Sequence, residues 1–228
     1  MRSFLRKIIG ISVASVLLIG SVNSVFAAQE EPYYNQEIYT QIIDELGKEY
    51  GFEIKQGKPE DIGNKSLNNT TKGQEQLSPE EFEDFLRKEL EKISLHNQRV
   101  KEKYEETGDN FENAKWVPCG ENNNKTRAKS CVIDKKYEFG LNDNTVKGHL
   151  EGIIDNPKDY WVFRQVDDSS ATWMTWNSLY KSTEYTKKFI DSGRTCAVTY
   201  NGYVYYSTGD FTVYDIKEYV EYYAYEGA

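Results

Sequence analysis

The sequence predicts an α+β fold: N-terminal helices, one of them long, followed by a small, mostly antiparallel sheet with short helices. Two observations carry that expectation. Apolar residues recur at helical spacing before residue 110, whereas β-branched and aromatic residues dominate after residue 130. All four Trp and all three Cys lie beyond residue 115, and half of the 18 Tyr lie between Tyr200 and Tyr225.

Residues 1–27 read as a secretory signal peptide. Arg2, Arg6 and Lys7 form the basic lead, Ile8 to Val22 the apolar run, and Val25-Phe26-Ala27 a small-residue cleavage site. The run is short for a membrane span of about 20 residues. The expectation is export, cleavage after Ala27 and no stable membrane insertion afterwards. The first cysteine is Cys119, so lipid attachment at that site is not expected. The formal charge of −9 becomes more negative once three cations are removed. That excess of acid argues against a generic nucleic-acid binder, which needs a basic footprint.

The rest of the chain divides by composition into four segments. Residues 28–54 form a short helical segment, in which Ile38, Tyr39, Ile42, Ile43, Leu46 and Tyr50 share a face and Gly51 ends it. Residues 55–77 are polar, rich in Gly, Asn, Lys and Gln, and read as a flexible linker. Residues 78–115 hold the long helix. Ser78, Pro79 and Glu81 make a capping box with proline in the first turn, and Phe82, Phe85, Leu86, Leu90, Ile93, Val100 and Tyr104 form one stripe. Residues 116–228 form the aromatic-rich α+β domain. Strands are expected over 135–141 and 160–166. Short helices are expected around Val146–Ile154, Trp173–Phe189 and Ile216–Tyr223. Asn201-Gly202 between two β-forming runs predicts a type I′ hairpin.

Three cysteines in an exported chain suggest one disulfide and one free thiol. Cys119–Cys131 closes a short loop and would contribute about 3 kcal/mol by the chain-entropy argument. That loop and its flank also carry the basic residues Lys125, Arg127, Lys129, Lys135 and Lys136, a local reversal of sign that suits an anionic polymer or headgroup.

Cys196 is then the odd thiol. A cysteine nucleophile needs a base, and His149 and His96 are the only histidines. Thr195-Cys196 with upstream His149 and adjacent Arg194 resembles the cysteine transpeptidases of the sortase type. The resemblance would imply a Cys196–His149 transferase. In that family the arginine follows the cysteine, whereas no Arg follows residue 194 here, and the apolar lead-in is missing. Metal-binding, phosphate-loop and serine-elbow motifs are absent from the sequence, so no metal or cofactor is expected.

The binding candidates are Trp173, Trp176, Tyr203 and Tyr205, because rings on a sheet stack on sugars or proteins at small entropic cost. The resulting expectation is a secreted, non-enzymatic binding protein for a cell-envelope glycan or a protein partner. The alternatives are a secreted hydrolase, a Cys196–His149 transferase, or a bacteriocin-like effector.

Overall fold

A computed structural model describes residues 36–62, 77–108, 128–156 and 160–228. The signal peptide, most of the linker, and Cys119 with its basic loop lie outside the described residues.

The fold is led by one seven-stranded antiparallel sheet accompanied by two helices, which corrects the helix-led α+β expectation. The elements run α1 (Gln36–Tyr50), β1 (Ile54–Gln56), α2 (Pro79–Glu106), β2 (Lys129–Glu138), β3 (Thr145–Asp155), β4 (Val162–Met174), β5 (Ser178–Ile190), β6 (Thr195–Tyr206) and β7 (Phe211–Tyr223). Sheet order is β1-β7-β6-β5-β4-β3-β2. Strands β2 to β7 are therefore a meander. The short β1, from the start of the expected linker, pairs outside β7 along Ile54–Gln56. No helix among the described residues is long and apolar enough to cross a membrane.

Three segments expected to be helices are strands, and each has a physical reason. Along β3 the inward positions are Val146, Gly148, Leu150, Gly152 and Ile154, and the outward ones include Lys147, His149 and Glu151. This is strict period two, but two inward positions are glycines, so counting apolar residues alone reads the run as helical. A Cβ on Gly148 would collide with the Tyr222 hydroxyl, and one on Gly152 with the Gln165 carbonyl. Trp173–Phe189 is two strands joined by a tight turn at Thr175–Asn177, where the Thr175 hydroxyl receives the Asn177 and Ser178 amides. Ile216–Tyr223 belongs to β7, where Ile216, Glu218, Val220 and Tyr222 all face the core. Glu218 is the polar residue that hides the alternation.

The expected Asn201-Gly202 hairpin is also corrected. Both residues lie inside β6, paired with Lys217 and Ile216 of β7. Gly202 sits at a bulge where any side chain would strike the Lys181 carbonyl and Ser182. The chain turns instead after Tyr206, with Gly209 and Asp210 in the left-handed region (φ 85° and 49°).

The long helix follows its capping motif. The Ser78 hydroxyl accepts the Glu81 amide, and the Glu81 carboxylate accepts the Ser78 amide. Phe82, Leu86, Leu90 and Ile93 enter the main core with Tyr39, Ile43 and Leu46 of α1 and the inward residues of β2–β7. Further along, Val100 packs in a separate cluster with Ala197 and Tyr219, which alternate with the inward set. Between these two regions α2 crosses the part of β7 that lacks a strand neighbour. Asn97 closes that edge: its amide donates to the Asp215 carbonyl (2.8 Å), and its oxygen accepts the Lys217 amide (2.8 Å). One side chain thus replaces a pair of ladder hydrogen bonds on an edge that would otherwise invite pairing.

Gly148 gives a direct check on this packing. We expect Gly148→Ala to destabilise the protein by about 1–3 kcal/mol in urea unfolding, the usual cost of forcing a methyl into a filled core. In a Tyr222→Phe background, where the hydroxyl is gone, the loss should shrink.

Candidate functional site

The interior of the sheet carries two polar groupings, both sealed from water. In the first, Glu218 of β7 is fully buried. One oxygen accepts the Trp173 indole N–H (2.6 Å) and the Leu141 amide (3.0 Å); the other lies 2.9 Å from His96 Nε2. Tyr180 stacks on Trp173 with ring centroids 5.9 Å apart. Its hydroxyl and His96 Nδ1 have no partner among the described residues. Burial and the nearby Glu218 carboxylate push the Tyr180 phenol well above its ordinary range.

The second grouping is a chain of hydroxyls. Ser169 donates to the His149 carbonyl (2.7 Å), so its oxygen must accept from Tyr200 (2.6 Å), which in turn accepts from Tyr222 (2.6 Å). Each hydroxyl donates once, and the chain ends on the β3 backbone directly behind the His149 side chain.

The outer face of β2, β3 and β4 is accessible. Here Asp134, Lys135, Lys136, Lys147, Gly148, His149, Ser170 and Thr172 line a groove of about 380 Å³. Two cross-strand rows build it. Asp134 of β2 stands opposite His149 of β3, which stands opposite Ser170 of β4. In the next row Lys136 stands opposite Lys147, and Lys147 opposite Thr172. The alternation that turns Gly148 and Leu150 inward is what turns Lys147 and His149 outward.

The Asp134–His149–Ser170 row has the residue types of an acid–base–nucleophile relay, but its connections differ. Asp134 holds His149 Nδ1 at 2.7 Å, and Glu151 holds Nε2 at 3.1 Å, so the nitrogen that would serve a serine is taken by a carboxylate. A ring gripped by an acid on each nitrogen favours the imidazolium. The hydrogen bond that His149 donates to Asp134 raises its pKa; burial opposes this to a lesser extent, and the bond to Glu151 adds to the rise.

The expected site residues fall in different places. Cys196 is fully buried among the inward residues of β6, and burial pushes its thiol up to about 12. His149 lies on the outer face, so the structure does not bring the two together, and a thiolate nucleophile has no support at this position. Cys131 is likewise a free, buried thiol, while its expected partner Cys119 lies outside the described residues. Trp173 is 2 % exposed and donates into the core. Tyr203 and Tyr205 share a face, as period two requires, yet that face is covered: Ile62 packs on them, and their hydroxyls bond Asp61 (2.6 Å) and Asp210 (2.9 Å). They present no free phenol to solvent. Of the four binding candidates only Trp176, 76 % exposed on the β4–β5 turn, stands in water.

Lys147, Ser170 and Thr172 were not singled out by sequence, because the strands that align them were read as helix or left unassigned. Comparison with protein-family models, curated proteins and solved structures gives no match.

The carboxylate grip on His149 has a measurable sign. The folded pKa lies above the ordinary 6.5. The contact therefore contributes stability that is fully present below about 6.5 and is lost as pH rises through the raised folded value. We expect an NMR titration to place His149 above 6.5 and Asp134→Asn to lower it. A His149 titrating at or below 6.5 in the wild type would contradict the assigned contacts.

Proposed function

We propose that the protein is an exported, non-enzymatic binding protein that holds a cell-envelope glycan on the outer face of β2–β4. The single observation that carries the reading is the groove. Six of its lining residues stand in two rows, Asp134–His149–Ser170 and Lys136–Lys147–Thr172, and present a carboxylate, a histidine, two ammonium groups and two hydroxyls. These groups can hydrogen-bond the oxygens of a sugar polymer, and the aliphatic lysine stems between them can pack on its ring faces. Export rests on the pattern of Arg2, Arg6, Lys7, the apolar run and the Ala27 site. The non-enzymatic part is supported by the sealed Cys196 and by the double carboxylate grip on His149.

A second reading, docking of a protein partner at the β4–β5 turn, is favoured by one specific feature. Trp176 and Met174 (56 % exposed) stand close together there, and an exposed Trp beside another apolar side chain is a common anchor in protein interfaces.

Sedimentation with purified peptidoglycan sacculi tests the groove reading. Wild type should co-sediment, and Thr172→Trp, which fills the groove, should lower retention at least tenfold while Trp176→Ala leaves it unchanged. Undiminished retention of Thr172→Trp would overturn the groove reading, and loss on Trp176→Ala would move the site to the turn.

A further inference from the structure

We propose that the groove takes an oxyanion, a carboxylate or phosphate group of its polymer, seated between Lys136 and Lys147 with the Thr172 hydroxyl beside it. This names the ligand chemistry of the groove and so rests on the binding function proposed above.

The argument begins with an electrostatic oddity. Lys136 and Lys147 are directly opposed across the β2–β3 ladder. Like charges in that position oppose pairing, because their Cβ atoms lie only about 4.5–5.5 Å apart. Neither ammonium has an acid, carbonyl or ring partner among the described residues. Several other cations of the protein do have such partners. Lys135 bonds Glu226 at 2.8 Å, Lys181 bonds Asp61 at 2.7 Å, Arg164 bonds Asp155 at 2.6 Å, and Arg87 bonds Glu49 at 2.7 Å. Lys187 and Lys188 reach the Val166 and Tyr104 carbonyls, and Lys129 lies over the Trp161 ring. Lys48, Lys88 and Lys217 also lack such a partner among the described residues, but Lys136 and Lys147 are the lysines directly opposed across a ladder there.

The surroundings complete a receptor for negative oxygen. Thr172 lies next in the Lys136–Lys147 row, and Ser170 stands two residues along β4, about 7 Å away by strand geometry. Both supply rotatable O–H donors. On the outer face of β2 an acid stands two residues to either side of Lys136: Asp134, which is turned to His149 Nδ1, and Glu138, which bonds neither lysine among the described residues; Glu151 of β3 is turned to Nε2. The histidine thereby holds Asp134 and Glu151 away from the lysines. An arriving oxyanion bridging the two ammonium groups would relieve their repulsion and gain charge-assisted hydrogen bonds.

Calorimetric titration of the purified protein at low salt tests this with three probes: an oligogalacturonate for carboxylate, a poly(glycerol phosphate) for phosphate, and a neutral chitooligosaccharide. We expect at least one anionic probe to bind. The double variant Lys136→Gln/Lys147→Gln should weaken it tenfold or more, as should 0.5 M salt, while Lys48→Gln on α1 serves as an unaffected control. The anionic probe that binds names the source of the oxyanion. Loss of the charged pair should leave the thermal midpoint unchanged or raised, so a folding defect is recognised separately. Binding of neither anionic probe, binding that the double variant leaves intact, or equal binding of the neutral probe would overturn the proposal. The parent reading is distinguishable: retention on sacculi lost in Thr172→Trp but kept in the lysine double variant would preserve the groove and remove the oxyanion.

Discussion

The Glu218 carboxylate is the constraint on which the rest of the structure depends. It sits on the last strand, fully buried, and gathers groups from three other parts of the chain: His96 from α2, the Leu141 amide from the β2–β3 connection, and Trp173 from β4. A carboxylate taken out of water is tolerated only where its lone pairs are met, and removing one partner of such a buried set typically costs about 3–5 kcal/mol. The geometry therefore allows one arrangement of α2 on the sheet. It sets where the helix enters the core, and Asn97, one residue past His96, then falls on the free edge of β7.

That anchoring divides the labour between the two faces. Inside, Trp173, Tyr180, Tyr200, Tyr206 and Tyr222 are consumed by packing and by hydrogen bonds to one another, to Glu218 and to Glu89. Of the rings expected as ligand platforms, Trp173, Tyr203 and Tyr205 are structural and Trp176 is exposed. On the opposite face, β2–β4 carry Asp134, Lys136, Lys147, His149, Ser170 and Thr172 in two cross-strand rows. The faces meet at β3, where the backbone behind His149 receives the last hydroxyl of the buried chain from Tyr222 through Tyr200 and Ser169. The groove is thus laid on a strand that the core holds rigidly, which limits the ordering cost of binding there.

How much of this was legible in the sequence follows from particular residues. The long helix was, because Ser78, Pro79 and Glu81 state its start and apolar residues recur at helical spacing from Phe82 to Ile93. The sheet was not, for two reasons. Gly148 and Gly152 are inward residues without a side chain, so β3 lost two of its five apolar-face signals. Glu218 is an inward residue of the opposite polarity, so β7 showed helical rather than alternating spacing. In both cases tertiary packing chose the residue: Gly148 makes room for Tyr222, and Glu218 answers Trp173 and His96. Asn201-Gly202 misled in the same way, since its glycine serves a bulge against Lys181 instead of a turn. The groove was half visible. Lys135, Lys136 and His149 stood out as charged or titratable groups, but Lys147, Ser170 and Thr172 acquire meaning only once three strands are in register.

The central claim is that the inner face of the sheet serves stability while the accessible outer face of β2–β4 serves the ligand. Lysine acylation footprinting by mass spectrometry, with and without sacculi, tests it most directly because it reads every accessible ammonium at once. The account predicts that Lys136 and Lys147 lose reactivity in the presence of sacculi while Lys48 and Lys88 on the helices keep theirs. Unchanged labelling of Lys136 and Lys147 on sacculus-bound protein would contradict it.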